Sequence, residues 1–437
     1  MLSELTKFRI KSHGDILMNY KPNPLLYGAD ENFFSTFKIA VTMRSEVDHE
    51  VLSRSVDKAM VRYPYFSIHP VKKENHILLC RNPHPVPVFE DDRFVVLGTE
   101  ESYGHLLTFG CRGRQIFLNA SHYIADGMGI DPLLKTVLGL YVSELYGTEG
   151  LEIHKISMPD EPVSEEEYAY PFPDTALETD DDYLPKIAPN DVYELDGNEL
   201  DDGGFYAYHL HIPQKTLMKK ASPSDGSPIS FLSVMLYRAL CSLNRDIDQP
   251  IVAHIQHQYR AALNKPDSRH SMVSYIPVTL PLKMKERNVT YQNTVMRGQI
   301  LLGSERSADL RAVNRLLDAF PAGDGVSPAE KKQAMRKYVE NSVRGKTFGI
   351  SYVGKTDWCG LDRYVEDIHV YLGEKNNRNM LLIEIMTIGE DFTVNFMQSG
   401  CGKRYVNAFI EQLRSFDIPV TLVGEERYTL CDTKIPE

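Results

Sequence analysis

The chain has 437 residues, 42% of them hydrophobic, and a formal charge of −12 at neutral pH, which is room for two or three domains with large apolar cores. The acidity is local: residues 160–202 hold 16 acidic side chains against Lys186 alone, a balance of −15 that leaves +3 for everything else. No basic face follows from that distribution, so nucleic-acid binding is excluded as a function class.

The opening stretch MLSELTKFRIKSHGDILMNY mixes charges of both signs, and apolar runs such as Met380 to Met386 are short and broken by Glu384. Neither a signal peptide nor a membrane span is expected. Six cysteines (Cys80, Cys111, Cys241, Cys359, Cys401 and Cys431) are scattered without the spacing of a zinc knuckle, a redox pair or a disulfide framework. A reducing cytoplasm is the expected compartment.

In chain order, Phe33 to Met43 reads as a strand, and Asp48 to Arg62 as a capped helix with Val51, Leu52, Val56, Ala59 and Met60 inward, stopped by Pro64. Gln115 to Ala120 alternates apolar Ile116, Leu118 and Ala120 with other residues, the period of a half-buried strand. Asp131-Pro132 reads as an N-cap and a first-turn proline, opening a helix that carries Leu133, Leu134, Val137, Leu138, Tyr141 and Leu145. The acidic stretch is rich in proline and aromatics, from Tyr168-Ala169-Tyr170-Pro171-Phe172-Pro173 to Tyr193; it is expected to be non-helical, a connector laid over the surface.

Beyond it, Ser227-Pro228 opens an apolar helix, and Pro250 to Gln258 and Met272 to Leu282 read as strands. Helices are expected near Arg306 to Phe320 and from the capping box Ser327-Pro328-Ala329-Glu330 onward. Strand character returns at Phe348 to Val353, Ile368 to Leu372, Asn379 to Ile388 and Phe392 to Met397, the last two forming a hairpin around Gly389-Glu390-Asp391. A helix from Lys403 to Phe416 follows, with Tyr405, Val406, Phe409, Ile410 and Leu413 on one side. Strands and helices mix in both halves, which predicts an α/β (α+β) protein of two sandwich-like domains, residues 1–158 and 204–437, joined by the linker 159–203.

Between the strand ending at Ala120 and the helix lies Ser121-His122-Tyr123-Ile124-Ala125-Asp126-Gly127-Met128-Gly129. A histidine on a turn between two rigid elements is held in place yet reachable, and a neutral imidazole can take a proton from an attacking hydroxyl or amine. Asp126 either receives the imidazole or anchors the turn by pairing with a cation, while Gly127 permits the turn. On spacing alone, a satisfied structural histidine competes with a catalytic one. One histidine and one aspartate are too few for a metal, and His254 and His257 fall on opposite faces of their strand, so no metal is expected. Ser121 lacks the flanking glycines of a serine-hydrolase elbow, and Gly127-Met128-Gly129 does not complete a dinucleotide fingerprint.

The motif and its neighbours resemble the chloramphenicol-acetyltransferase-like superfamily of thioester-dependent acyltransferases, which includes alcohol acetyltransferases and nonribosomal peptide condensation domains. The likeness runs along nearly the whole chain: the helix ending at Pro64-Tyr65-Phe66, the strand Ile251 to Arg260 with Asn264-Lys265-Pro266, the strand at Ser351-Tyr352-Val353-Gly354, and the closing strand and helix from Phe396 to Phe416. The resemblance implies two similar halves with a substrate tunnel between them. It implies direct transfer of an acyl group from a coenzyme A thioester to an alcohol or amine, with no acyl-enzyme and no permanently bound cofactor. His122 would be the general base, Asp126 a structural residue paired with Arg260, Gly127 a residue that lets the substrate approach the backbone, and Ser351 a donor to the oxyanion. The alternatives are a condensation-type enzyme fed by a carrier-protein phosphopantetheine thioester, and a catalytically silent binding module. The chain departs from the family pattern at Ser121, where many relatives carry a second histidine, at Tyr352 in place of asparagine, and at His270-Ser271, where a Gly-Asn pair is common.

Overall fold

The computed structural model describes residues 24–29, 36–179, 191–196, 202–244, 246–343, 345–374 and 380–436. Residues 33–35 and 379 of two expected strands, and residues 180–190 and 197–201 of the linker, lie outside them. The first half runs β1 (Thr36–Met43), α1 (His49–Arg62), β2 (Ile68–Lys73), β3 (His76–Arg81), β4 (Val88–Phe89), β5 (Val96–Leu97), β6 (Leu107–Arg112), β7 (Gln115–Ser121) and α2 (Gly127–Tyr146), then a one-turn α3 (Glu165–Tyr168). The second runs β8 (Phe205–Pro213), α4 (Gln214–Ala221), α5 (Pro228–Leu243), β9 (Ile251–Gln258), β10 (Val273–Leu280), α6 (Val289–Gly303), α7 (Arg306–Ala319) and α8 (Pro328–Val343). It closes with β11 (Phe348–Tyr352), β12 (Val365–Tyr371), β13 (Leu381–Ile388), β14 (Asp391–Ser399), α9 (Arg404–Arg414), β15 (Thr421–Tyr428) and β16 (Asp432–Thr433).

The local signals act as the sequence predicts at most helix starts. Asp48 caps α1 by accepting from the Val51 N–H, and Ser227 caps α5 ahead of Pro228. Ser327 and Glu330 exchange hydrogen bonds at the head of α8. Two expectations fail. Asp131-Pro132 is not the start of α2: the helix begins at Gly127, Asp126 is its N-cap, and Pro132 lies inside it. The acidic stretch is not free of helix either, because Ser164 and Glu167 form a capping box that nucleates α3.

The strands form a five-stranded sheet in the order β12-β1-β7-β6-β4 and a seven-stranded sheet in the order β10-β9-β11-β13-β14-β8-β15. Alternation sorts each sheet into an outer apolar face and an inner mixed one. In the first sheet Phe37, Ile39, Val41, Ile116 and Leu118 pack under Val51, Leu52 and Val56 of α1 and Leu133, Val137 and Leu138 of α2. In the second, Ile383, Ile385, Val394 and Phe396 pack under Phe231, Leu232 and Met235 of α5 and Val406, Phe409 and Leu413 of α9.

The inner faces meet through Ala40 and Phe117 of the first sheet and Ala207, Leu382 and Met397 of the second. The joint is strengthened by β12, a strand from the second half that pairs antiparallel with β1 in the first sheet, Ile39 facing Val370. On its other side Asn395 donates to the Val370 carbonyl at 2.8 Å and the Thr393 hydroxyl donates to the Ile368 carbonyl at 3.2 Å. The protein is thus a two-lobed α+β structure whose lobes share a strand.

Candidate active site

His122 follows β7 directly, at the edge of the seam between lobes. Its ring lies edge-on to Phe37, with centroids 5.2 Å apart. Nδ1 is 3.3 Å from the Ser271 hydroxyl, which belongs to the other lobe. Loss of hydration holds its pKa below the ordinary histidine value, opposed by the charge of Asp126 and by a hydrogen bond to its own carbonyl. The imidazole is therefore neutral at pH 7. In the tautomer whose Nδ1–H points to that carbonyl, Nε2 carries the lone pair of a base.

Asp126 is fully engaged and does not hold the imidazole. Arg260, just past β9, grips it with a two-pronged contact, Nη1 to Oδ2 at 2.8 Å and Nη2 to Oδ1 at 2.7 Å. The Gly129 N–H donates to Oδ1 at 2.8 Å and the Met272 N–H to Oδ2 at 2.9 Å. Arg260 in turn donates to the carbonyls of Ser268 and His270. Both side chains of the pair are buried, at 6% and 4% exposure, and every polar contact of the carboxylate is made. Of the two roles open to Asp126 in the sequence, the anchor of the turn is the one the geometry supports.

Gly127 has an unstrained backbone as the first residue of α2; a Cβ there would meet Val353 Cγ1 at 3.4 Å. The glycine the site requires is Gly129, where a Cβ would stand 2.2 Å from the Arg269 carbonyl oxygen. The loop 268–272 is thus pressed against the start of α2, and it delivers Ser271 to His122.

That loop has its own support, which the sequence reading missed. In α3 the buried Glu167 accepts from Arg62 Nη1 at 2.9 Å and Nη2 at 2.7 Å, and from the Tyr65 hydroxyl at 2.6 Å. Burial alone would raise its pKa, but these hydrogen bonds outweigh it and hold the carboxylate ionised. The Arg269 N–H donates to the Glu167 carbonyl at 2.8 Å, and His270 Nε2 lies 2.9 Å from the Tyr168 carbonyl. The capping box was the available signal; a charge run read as solvated surface concealed it.

Ser351 sits on β11 on the face that looks toward the first lobe, two residues before Val353. His254 is stacked on Tyr275 with centroids 4.0 Å apart, while His257 pairs with Asp309 at 3.1 Å, so the two do not converge. Among the described residues no group of three or more His, Cys, Asp or Glu side chains is placed to hold a metal ion. A cavity of about 790 Å³ is lined by Gly98, Thr99, Tyr103 and Lys434, and one of about 310 Å³ by Tyr275, Arg315 and Tyr338; neither is lined by His122.

No family profile matches the chain, and no curated protein matches it in sequence. Solved structures do match it in shape. Polyketide synthase associated protein 5 from Mycobacterium tuberculosis superposes with a TM-score of 0.58 at 12% identity, covering 91% of this chain and 97% of the other. TRI101 of F. graminearum, complexed with coenzyme A and deoxynivalenol, gives 0.57 at 10% identity over 92% and 97%. The epimerization domain from the third module of tyrocidine synthetase B gives 0.57 at 10% identity over 94% and 97%. With two lobes, a shared strand and near-complete coverage of all three, the chain has the chloramphenicol-acetyltransferase-like fold that it shares with TRI101 and with condensation and epimerization domains.

Proposed function

We propose that this chain is an acyltransferase that moves an acyl group from a coenzyme A thioester to a hydroxyl or amine acceptor, with His122 as general base. The observation that carries this reading is the placement of a neutral, partly accessible imidazole at the seam, on a turn clamped from the opposite lobe by Arg260. The coenzyme A complex of a protein with the same fold supports the donor class.

His122 Nε2 would remove the acceptor proton as the acceptor oxygen or nitrogen attacks the thioester carbonyl. The tetrahedral intermediate would collapse by breaking the carbon–sulfur bond, and the imidazolium would return the proton to the departing thiolate, so no acyl-enzyme forms. Ser351 is assigned as the donor to the oxyanion. The donor and acceptor would meet at His122 through a tunnel between the halves 1–158 and 204–437. The six free cysteines suit a cytoplasmic setting.

The experiment is free-thiol release from short and long acyl-coenzyme A in the presence of alcohols and amines, comparing the parent with His122→Ala. Acceptor-dependent release that falls by about 10²–10⁴-fold in a folded His122→Ala protein is expected. Equal rates in both proteins would sink the reading. The likeness to condensation-type folds, as close as that to TRI101, favours one second reading, a carrier-protein thioester as donor. Transfer from an acyl-carrier protein but not from acyl-coenzyme A at equal concentration would select it.

A further inference from the structure

Strand β13 of the second sheet carries one charge-bearing side chain, Glu384, in a sequence that is otherwise apolar but for Thr387. All of β13, Leu381 to Ile388, is buried, and Glu384 in its middle is 5% exposed. Burying a lone carboxylate costs several kcal/mol, so the group stays neutral unless something compensates it. Among the described residues nothing charged does so: burial pushes its pKa up to about 8, and the Ser351 hydroxyl acts against that shift.

Register places the two residues side by side. Ser351 of β11 faces Glu384 of β13 in the parallel pair, and Asn395 of β14 faces Glu384 on its other side. Partners in register project from the same face. That face is the inner one, because Leu382, two residues earlier, packs with Ala40 and Phe117 of the first lobe. Val353, two residues past Ser351, borders Gly127 in the His122 turn. Among the described residues Glu384 has no ionic partner: β14 presents Thr393 and Asn395, which bind the backbone of β12. The titratable His369 and Asp367 of β12 pair with His209 and His211 of β8.

We propose that Glu384 is a positioning residue for Ser351, its carboxyl fixing the serine hydroxyl so that the hydrogen points out of the sheet toward an oxyanion formed near His122. The inference deepens the acyl-transfer reading and rests on it. With the carboxyl protonated, its O–H donates to Ser351 Oγ, and the serine hydrogen is free to donate across the seam. Once the carboxyl ionises it becomes an acceptor only. The serine hydrogen then turns inward to it, and a fixed negative charge sits beside the developing oxyanion. The alkaline limit of the reaction is thereby set by a residue that touches no substrate.

The test is the rate of acceptor-dependent thiol release between about pH 6 and about pH 10 for the parent, Glu384→Gln, Glu384→Ala and Ser351→Ala. The parent is expected to lose activity above about pH 8. Glu384→Gln, always neutral and still a donor, is expected to abolish that decline and to recover most of the roughly tenfold loss in kcat expected of Glu384→Ala, with KM little changed. In a Ser351→Ala background, removing Glu384 is expected to cost nothing more. An identical alkaline decline in the parent and Glu384→Gln, or additive losses in the double variant, would overturn the proposal while leaving the acyl-transfer reading standing. No acceptor-dependent release from the parent with any coenzyme A or carrier-protein donor would overturn both. A Glu384→Ala protein that fails to fold is replaced by Glu384→Gln and Glu384→Leu, whose pH profiles answer the same question.

Discussion

At position 129 a side chain has nowhere to go, since a Cβ would stand 2.2 Å from a backbone oxygen of the loop 268–272, while at position 127 it would meet one valine methyl at 3.4 Å. Gly129→Ala is expected to lower the melting temperature more than Gly127→Ala and to reduce activity with it, because the displaced loop carries Ser271. Equal melting temperatures would show that the loop yields freely. For Asp126, the paired and wholly hydrogen-bonded state means that truncating one partner strands the other in the interior. Asp126→Asn is expected to cost about 3–5 kcal/mol in urea unfolding along with most of the activity. Full stability with lost activity would instead give Asp126 a direct part in the chemistry. The pair itself was legible in the sequence as an expectation drawn from resemblance; its four-fold hydrogen bonding was not, since the Gly129 and Met272 N–H groups reach the carboxylate only through the fold.

Among the elements, those with a strong local signal were the readable ones. α1, α5 and α8 carry capping side chains at their first turns, and the β13–β14 hairpin turns at Gly389-Glu390 with Ile388 facing Asp391, as alternation and glycine predict. The start of α2 was misplaced because two aspartates five residues apart both qualify as caps, and only the tertiary grip of Arg260 selects Asp126 over Asp131. Elements such as β8 and α6 are not among those the sequence predicts, although β8 lies between β14 and β15 in the second sheet. α3 was hidden by its surroundings, and it carries the clearest prediction at this scale. Glu167→Gln removes a buried charge from Arg62 and Tyr65, and a loss of about 3–5 kcal/mol is expected. Its pKa lies below the unfolded value, so the stabilisation is present above about pH 4.3 and is lost as pH falls through the folded value. The acid limb of a stability curve should therefore be shallower in the variant than in the parent; parallel limbs would deny Glu167 this part.

Across the whole molecule, the seam between lobes is ionic as well as apolar. Asp367 of β12 takes His211 at 2.9 Å and His369 at 3.1 Å, and the His369 ring lies 3.8 Å from that of His209, which pairs with Glu426 at 3.2 Å. Burial works against the ionised form of Asp367, but its two histidine partners hold its pKa far below the usual carboxylate range; His209 and Tyr371 do the same for Glu426. Burial also depresses His369. Each of these groups binds protons more readily unfolded, so each loses stabilisation as pH falls, the histidine from about pH 6.5 and the carboxylates from about pH 4. His211, raised by Asp367, works in the opposite sense and weakens as pH rises, but the large carboxylate shifts decide the balance. Melting temperature is expected to drop steeply below about pH 5, and His369→Gln to lower it already at pH 7; a flat profile would remove the seam from the account. The borrowed strand has a consequence for biogenesis. A ribosome delivers β1 more than three hundred residues before β12 emerges to pair with it, and until then the nascent first sheet presents an open edge to its surroundings. The first sheet is therefore completed only after residue 371 has been made, and a truncation that removes β12 is expected to leave the β1 edge unpaired and the first lobe incomplete.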